Sequence, residues 1–153
     1  MDNVNVRLSL PDGSEILAHG RLDLVPTHRP LTPTFAVYLD PRWANDPTVL
    51  WPFDLVSWPD FGVPADENAF FATMRDLHRR AASGELVEVA CYGGIGRTGT
   101  VLACLAVLSG LEPSASVTWV RTVYHAQAVE TSERAALVTR FAVSLEQDSP
   151  PGP

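Results

Sequence analysis

The chain contains no lysine, and all eleven of its basic residues are arginine. A nucleotide site of the P-loop kind, which needs a lysine on the phosphates, is therefore excluded. Cysteine is nearly absent too. Cys91 and Cys104 are too few for a disulfide framework, so at least one of them is available as a working thiol. Cys104 lies about two helical turns beyond the glycine run after Cys91, some ~10 Å by helical rise, which argues against a bridge between the two. Long apolar runs are missing: the strongest, Val101 to Leu108, falls far short of the roughly 20 residues that span a bilayer. The start, "MDNVNVRLSL", lacks the charged-then-apolar layout of a signal peptide. Together these predict a cytoplasmic protein with no membrane association. His19, His28, His78 and His125 are scattered without metal-ligand spacing, so no metal is expected. Positive charge is scarce overall, and a net charge of −7 opposes nucleic acid and anionic membranes alike.

What is present fits one globular domain. The 153 residues are 46 % hydrophobic, enough for one ordinary core. Only the end, "QDSPPGP", has the composition of a disordered tail, so the domain is assigned to residues 1–146 and the tail to 147–153. "VNVRLSL" and "EILAHG" alternate apolar and polar residues around Pro-Asp-Gly, which predicts a β-hairpin. "TFAVYLD" and "TVLWPFDLV" read as further strands between proline-rich joints, "PTHRPLTPT" and "DPRWANDP". From Asp66, Phe70, Met74, Leu77 and Ala81 recur at helical spacing, with Gly84 as a stop. "ELVEVAC" is a short buried strand, and the residues after Arg97 are apolar nearly all round, as in a helix buried on most sides. Val117, Val120 and Tyr124 mark one more helix, and Leu137, Val138, Phe141 and Leu145 mark the last. Strands first and helices later, with strand, loop and helix meeting at Cys91, predict an α/β sandwich with a mixed central sheet flanked by helices.

The chemistry is concentrated in "EVACYGGIGRTGTVLACL". A glycine-rich turn between a strand and a helix start can aim several backbone N–H groups at one point, where the helix dipole adds positive charge. Tyr92, Gly93, Gly94, Ile95 and Gly96 would form such an anion cradle, with the glycines allowing the tight ring. A cysteine at its rim sits where dipole and cation favour the thiolate, which makes Cys91 the candidate nucleophile. Arg97 closes the ring with a planar fork suited to two phosphate oxygens. Thr98 offers its hydroxyl to the sulfur and would help it leave. A dinucleotide site is set aside because a cysteine opens the run.

The Cys-x5-Arg-Thr spacing resembles the signature of the cysteine-based protein tyrosine phosphatases, and "GIGRTG" matches the tyrosine-specific form over six residues. "WPDFGVP", Trp58 to Pro64, is similar letter for letter to the mobile acid loop of that family, which implies Asp60 as the general acid. "AVETSER" resembles a third element, in which glutamines position the hydrolytic water. Glu130 and Arg134 occupy the corresponding places here, and Glu130 and Thr131 are the candidates for holding that water. An alternative for this segment is a cap: Thr131 or Ser132 would open the last helix, with Glu133 in its first turn. Two departures stand out: Ala90 replaces the histidine usual before the nucleophile, and Tyr92 enters a variable ring position. The resemblance runs from about Trp51 to Phe141.

It implies a compact phosphatase of dual-specificity size with tyrosine-type motifs. Phosphorus would be attacked by Cys91, its oxygens held by Arg97 and the ring, and the leaving oxygen protonated by Asp60. No cofactor is implied, and the expected partner of a monomeric enzyme is a phosphorylated protein or small phosphoester. Ala90 and the altered third element keep open a pseudophosphatase that binds without turnover. An enzyme for a phosphoinositide or RNA 5′-phosphate is a third reading, although the ring carries no extra cation for a multiply charged substrate.

Overall fold

The computed structural model describes residues 6–23, 31–60 and 62–148. Its hairpin is the predicted one: β1 (Val6–Ser9) and β2 (Glu15–Gly20) pair antiparallel, with Val6 opposite Ala18 and Ser9 opposite Glu15. At the turn, Asp12 accepts from the Ser14 amide and hydroxyl and faces the His78 ring at 2.7 Å. Against the burial that opposes ionisation, these partners hold its carboxyl down at about 2. The remaining strands are β3 (Phe35–Tyr38), β4 (Phe53–Leu55) and β5 (Val87–Cys91). All pair in parallel, giving the mixed order β1-β2-β5-β3-β4 with β5 at the centre. A parallel arrangement sends the C-terminal ends of β2, β3 and β5 to one edge, where sites form in open α/β sheets.

The "TVLWPFDLV" expectation is too long. Thr48 turns back onto the Asp46 carboxylate through its amide and hydroxyl, so strand pairing is confined to Phe53–Leu55. The proline-rich joint before β3 falls largely outside the described residues.

Four helices follow: α1 (Glu67–Ala82), α2 (Gly96–Leu108), α3 (Pro113–Val123) and α4 (Ser132–Asp148). Asp66 caps α1 by accepting from Ala69 N, and Gly84 follows it at φ +97°. α4 continues two residues past the predicted domain end at 146, and residues 149–153 lie outside the described ones. Arg140 ties α4 to Glu67 of α1. Arg79 and Arg80 both pair with Asp76, and Arg80 also covers the Phe35 ring at 3.9 Å. None of the helices among the described residues is long and apolar enough to cross a membrane.

Alternation along the strands divides the interior in two. Phe35, Val37, Val87 and Val89 face the main core with Met74, Leu77, Leu102, Leu105 and Phe141 of the helices. α2 is buried almost throughout, as its apolar sequence requires. Ala36, Tyr38 and Ala90 face the other way into a smaller cluster closed by Trp43, from a short 3-10 helix at Pro41–Asn45.

That second cluster is polar at its heart. Trp43 stacks on Tyr38 at 4.2 Å, and the Tyr38 hydroxyl donates to Glu88 Oε2 at 2.5 Å and accepts from Trp51 Nε1 at 3.0 Å. His19 Nε2 lies 2.9 Å from Glu88 Oε1 with both side chains fully buried, near enough for an ion pair although not aligned for a hydrogen bond. A buried carboxylate needs its donors. Tyr38→Phe keeps the stacking but removes one of them, and urea unfolding is expected to show a loss of about 1–3 kcal/mol.

Candidate active site

β5 ends at Cys91, residues 92–95 turn, and α2 begins at Gly96 with no side chain capping it, so its first N–H groups remain available to an anion. Cys91 is 2 % exposed. Its Sγ accepts from Gly94 N at 3.1 Å and from the Thr98 hydroxyl at 3.0 Å, so Thr98 does reach the sulfur. Thr98 Oγ1 also accepts from Cys91 N and donates to the His19 carbonyl, while Trp43 Nε1 donates to the Cys91 carbonyl at 3.0 Å. The Cys91 backbone is thus held at both its N–H and its carbonyl.

The glycines serve different ends. Gly94 adopts φ +84°, a conformation most side chains avoid. A Cβ on Gly96 would fall 2.0 Å from Glu130 Oε1, and one on Gly99 2.5 Å from the Ala128 Cβ. Gly93 has open space and no positive φ, so neither reason applies to it. Gly20, not foreseen as a site residue, lies under the ring: a Cβ there would meet Gly93 C and Gly94 N at 2.4 Å. The run from Gly94 to Gly99 does have the spacing of a dinucleotide fingerprint. Here, though, the space is taken by the Cys91 sulfur, the Arg97 side chain and the close approach of Glu130 and Ala128.

Arg97, 3 % exposed, folds back under the ring. Its Nη1 donates to the carbonyls of Leu39 (2.8 Å) and Trp58 (3.0 Å), its Nη2 donates to Asp40 Oδ2 (3.0 Å), and its Nε faces Asp60 Oδ1 at 3.8 Å. The expected fork is therefore partly committed to the protein. Asp40 was not singled out in the sequence, yet it is buried between two arginines. Arg42 closes on it bidentately, at 2.8 and 2.9 Å, and stacks over Tyr92 at the ring. Arg42 first, then Arg97, keep the Asp40 carboxyl well below the usual carboxylate range.

The acid loop reaches the same place. Trp58 is buried and donates to Gly62 O at 2.7 Å, drawing the loop into a tight turn, with Phe61 outside the described residues. Asp60, about half exposed, has Oδ1 within 3.9 Å of both Arg97 and Arg134. Glu130 lies against Gly96 and accepts from Arg134 Nη1 at 2.8 Å. Thr131 Oγ1 accepts from Arg134 N, the capping arrangement, at the start of α4. Ala90 is fully buried against Ala36, Tyr38 and Trp43, so the site has no room for an imidazole at that position. Cys104 is a free, buried thiol whose burial pushes its pKa up.

A model described as protein-tyrosine phosphatase matches residues 32–142, which is most of the chain. The chain belongs to the protein-tyrosine phosphatase family. Among its relatives, an uncharacterized protein of Methanocaldococcus jannaschii is 38 % identical over 82 residues, covering 54 % of each chain. The receptor-type tyrosine-protein phosphatase C of Mus musculus is 41 % identical over 63 residues, 40 % of this chain and 5 % of that protein. The chain thus spans about half the length of the archaeal relative and a small part of the mouse one. In fold it is similar to a kinase associated phosphatase whose catalytic cysteine is replaced by serine, with TM-score 0.71, 14 % identity, and 95 % and 98 % of the two chains covered.

The Asp40 pairing carries a pH signature. A carboxyl depressed in the folded state stabilises it fully above the unfolded value of about 3.9, and that contribution fades as pH falls through the folded value. Asp40→Asn should therefore cost about 3 kcal/mol at pH 7. The gap from wild type should narrow below about pH 4, read by chemical unfolding at a series of pH values.

Proposed function

We propose that the protein is a cysteine-dependent phosphomonoester hydrolase acting on phosphotyrosine in proteins, through a phosphocysteine intermediate. The observation that carries this reading is the Cys91 sulfur, held by Gly94 N and Thr98 Oγ1 at the mouth of an uncapped helix. Arg97 binds the acid loop at Trp58 O beside it. Family membership and fold supply the chemical class. The residue roles rest on this geometry together with the motifs.

In the first step the Cys91 thiolate attacks phosphorus and the bond to the leaving oxygen breaks. Asp60 gives that oxygen its proton. Helix N–H groups and the Nε edge of Arg97 stabilise charge on the transferring oxygens. In the second step water attacks the phosphocysteine and Asp60 takes back a proton. Sulfur leaves as thiolate, eased by the Thr98 hydroxyl, which already donates to it. Glu130, fixed over Gly96 by Arg134, is placed to orient the water, and Thr131 supports it as the cap of α4. The scheme uses no metal or organic cofactor. It describes a monomeric cytoplasmic enzyme whose only obligate partner is its phosphorylated substrate.

Cys91→Ser should abolish turnover of a phosphotyrosine peptide while phosphate binding survives, because serine fits the ring but is a weak nucleophile at neutral pH. Residual turnover near wild type would end the covalent mechanism. Asp60→Asn should slow phenyl phosphate by about 10²-fold or more, the usual contribution of a general acid. It should scarcely affect kcat/KM, which reports only the steps through phosphocysteine formation, for an ester whose leaving group departs as a stable anion. Equal losses of kcat/KM on both esters would make Asp60 a structural residue.

A further inference from the structure

Arg134 is the one fully buried cation in α4, and it sits in that helix's first turn, the end where the dipole disfavours positive charge. Burying a guanidinium is costly unless its donors are met, and burial pulls its pKa down against the attraction of Glu130 and Asp60. Its partners explain why it is tolerated. Nε donates to Gly62 O at 3.0 Å, the same carbonyl that accepts from Trp58 Nε1. Nη1 donates to Glu130, the guanidinium lies 5.6 Å from the Trp58 ring centre, and Nη2 is 3.9 Å from Asp60 Oδ1. Nη2 is buried without a hydrogen-bond partner. Apart from Glu130, every group on this list belongs to the acid loop.

The approach to α4 is also under strain. Val129 adopts φ +55°, the left-handed region that a β-branched residue avoids. Arg121 holds this bend by donating to the carbonyls of Ala128 (2.9 Å) and Val129 (2.7 Å). The bend delivers Glu130 against Gly96 and sets the first turn of α4 against Trp58 and Gly62.

We propose that Arg134 is a positioning residue for the acid loop, gripping the Gly62 carbonyl and the Trp58 face from α4 so that Asp60 is presented over the Cys91 ring. Trp58 O is held by Arg97 from the ring side and Gly62 O by Arg134 from the helix side, so two arginines bracket the proton donor. The closed loop supplies the acceptor for Nε and the aromatic face beside the guanidinium. Opening it would strip Arg134 of its carbonyl and aromatic contacts. The inference rests on the phosphatase reading for its catalytic consequence, but the grip on the loop does not depend on that reading.

The test uses the full chain labelled with 5-fluorotryptophan, its Trp58 resonance assigned through Trp58→Phe. In wild type the resonance should report one loop state. In Arg134→Gln it should shift or broaden, and kcat/KM for phenyl phosphate, which reports only the steps through phosphocysteine formation, should fall about tenfold or more while kcat/KM for 2,4-dinitrophenyl phosphate changes little. Arg134→Lys retains the cation without the fork, so it should behave like the glutamine variant and serves in its place if that one does not fold. An unmoved Trp58 resonance overturns the proposal, as do equal losses of kcat/KM on both esters. If wild type hydrolyses neither ester, the phosphatase reading fails, and the Trp58 resonance alone still decides for or against the grip.

Discussion

The Arg97 guanidinium binds three stretches that are distant in sequence: the end of β3 at Leu39 and Asp40, the acid loop at Trp58, and the start of α2 that carries it. All three acceptors lie on buried residues; without the arginine the two carbonyls would lose this donor and Asp40 would keep Arg42 alone. The placement of the acid loop, the seating of the short 3-10 helix behind Asp40, and the floor of the ring all follow from this one side chain. Lysine could not replace it, since a single ammonium cannot satisfy two carbonyls and a carboxylate in a fixed plane. An arginine expected only to hold phosphate therefore also holds the protein, and its exposed contribution to a ligand is reduced to what remains of the fork.

Around that anchor the ring is built by close approach. Gly20 of β2 passes beneath Gly93 and Gly94, Gly96 admits Glu130, and Gly99 admits Ala128. The parallel register makes this possible. Gly20 is paired with Cys91, and His19 with Ala90, so the end of β2 is laid directly beside the Cys91 ring. Glycine's entropic cost is offset where backbones touch, and it is at these contacts that the chain retains it.

The candidate site was legible because its motifs are local in sequence. Cys91 to Thr98 and Trp58 to Pro64 each lie within one turn or loop, so residue type and spacing alone reveal them, and the resemblance they carry extends to the fold. Periodicity likewise located the hairpin and all four helices. The residues that escaped notice are those whose roles exist only after the strands assemble. Asp40 looks like an ordinary turn residue until Arg97 arrives from 57 positions away. Gly20 looks like a hairpin end, and Trp43 like a loop aromatic, until each meets the Cys91 strand. The overlong fourth strand failed for a local reason, the Asp46 turn that captures Thr48. Ala90 was read as a departure at the place of a usual histidine, but in the fold it is the small residue that lets Tyr38 and Trp43 close over the strand, and through Trp43 the Cys91 carbonyl acquires a donor.

The absence of lysine can be revisited from the structure. Three arginines, at 97, 121 and 134, donate to backbone carbonyls at turns, and each engages more than one acceptor. Carbonyls at a turn point in divergent directions, and a rigid fork with five N–H groups can meet several of them at the entropic cost of one side chain. In a domain of this size, with little backbone to spare for regular pairing around its site, that economy matters. The ring, the strained bend before α4 and the acid loop each rest on a guanidinium, so the cations form a framework joining the three motifs. On this view Arg134 extends the framework to Trp58 and Gly62.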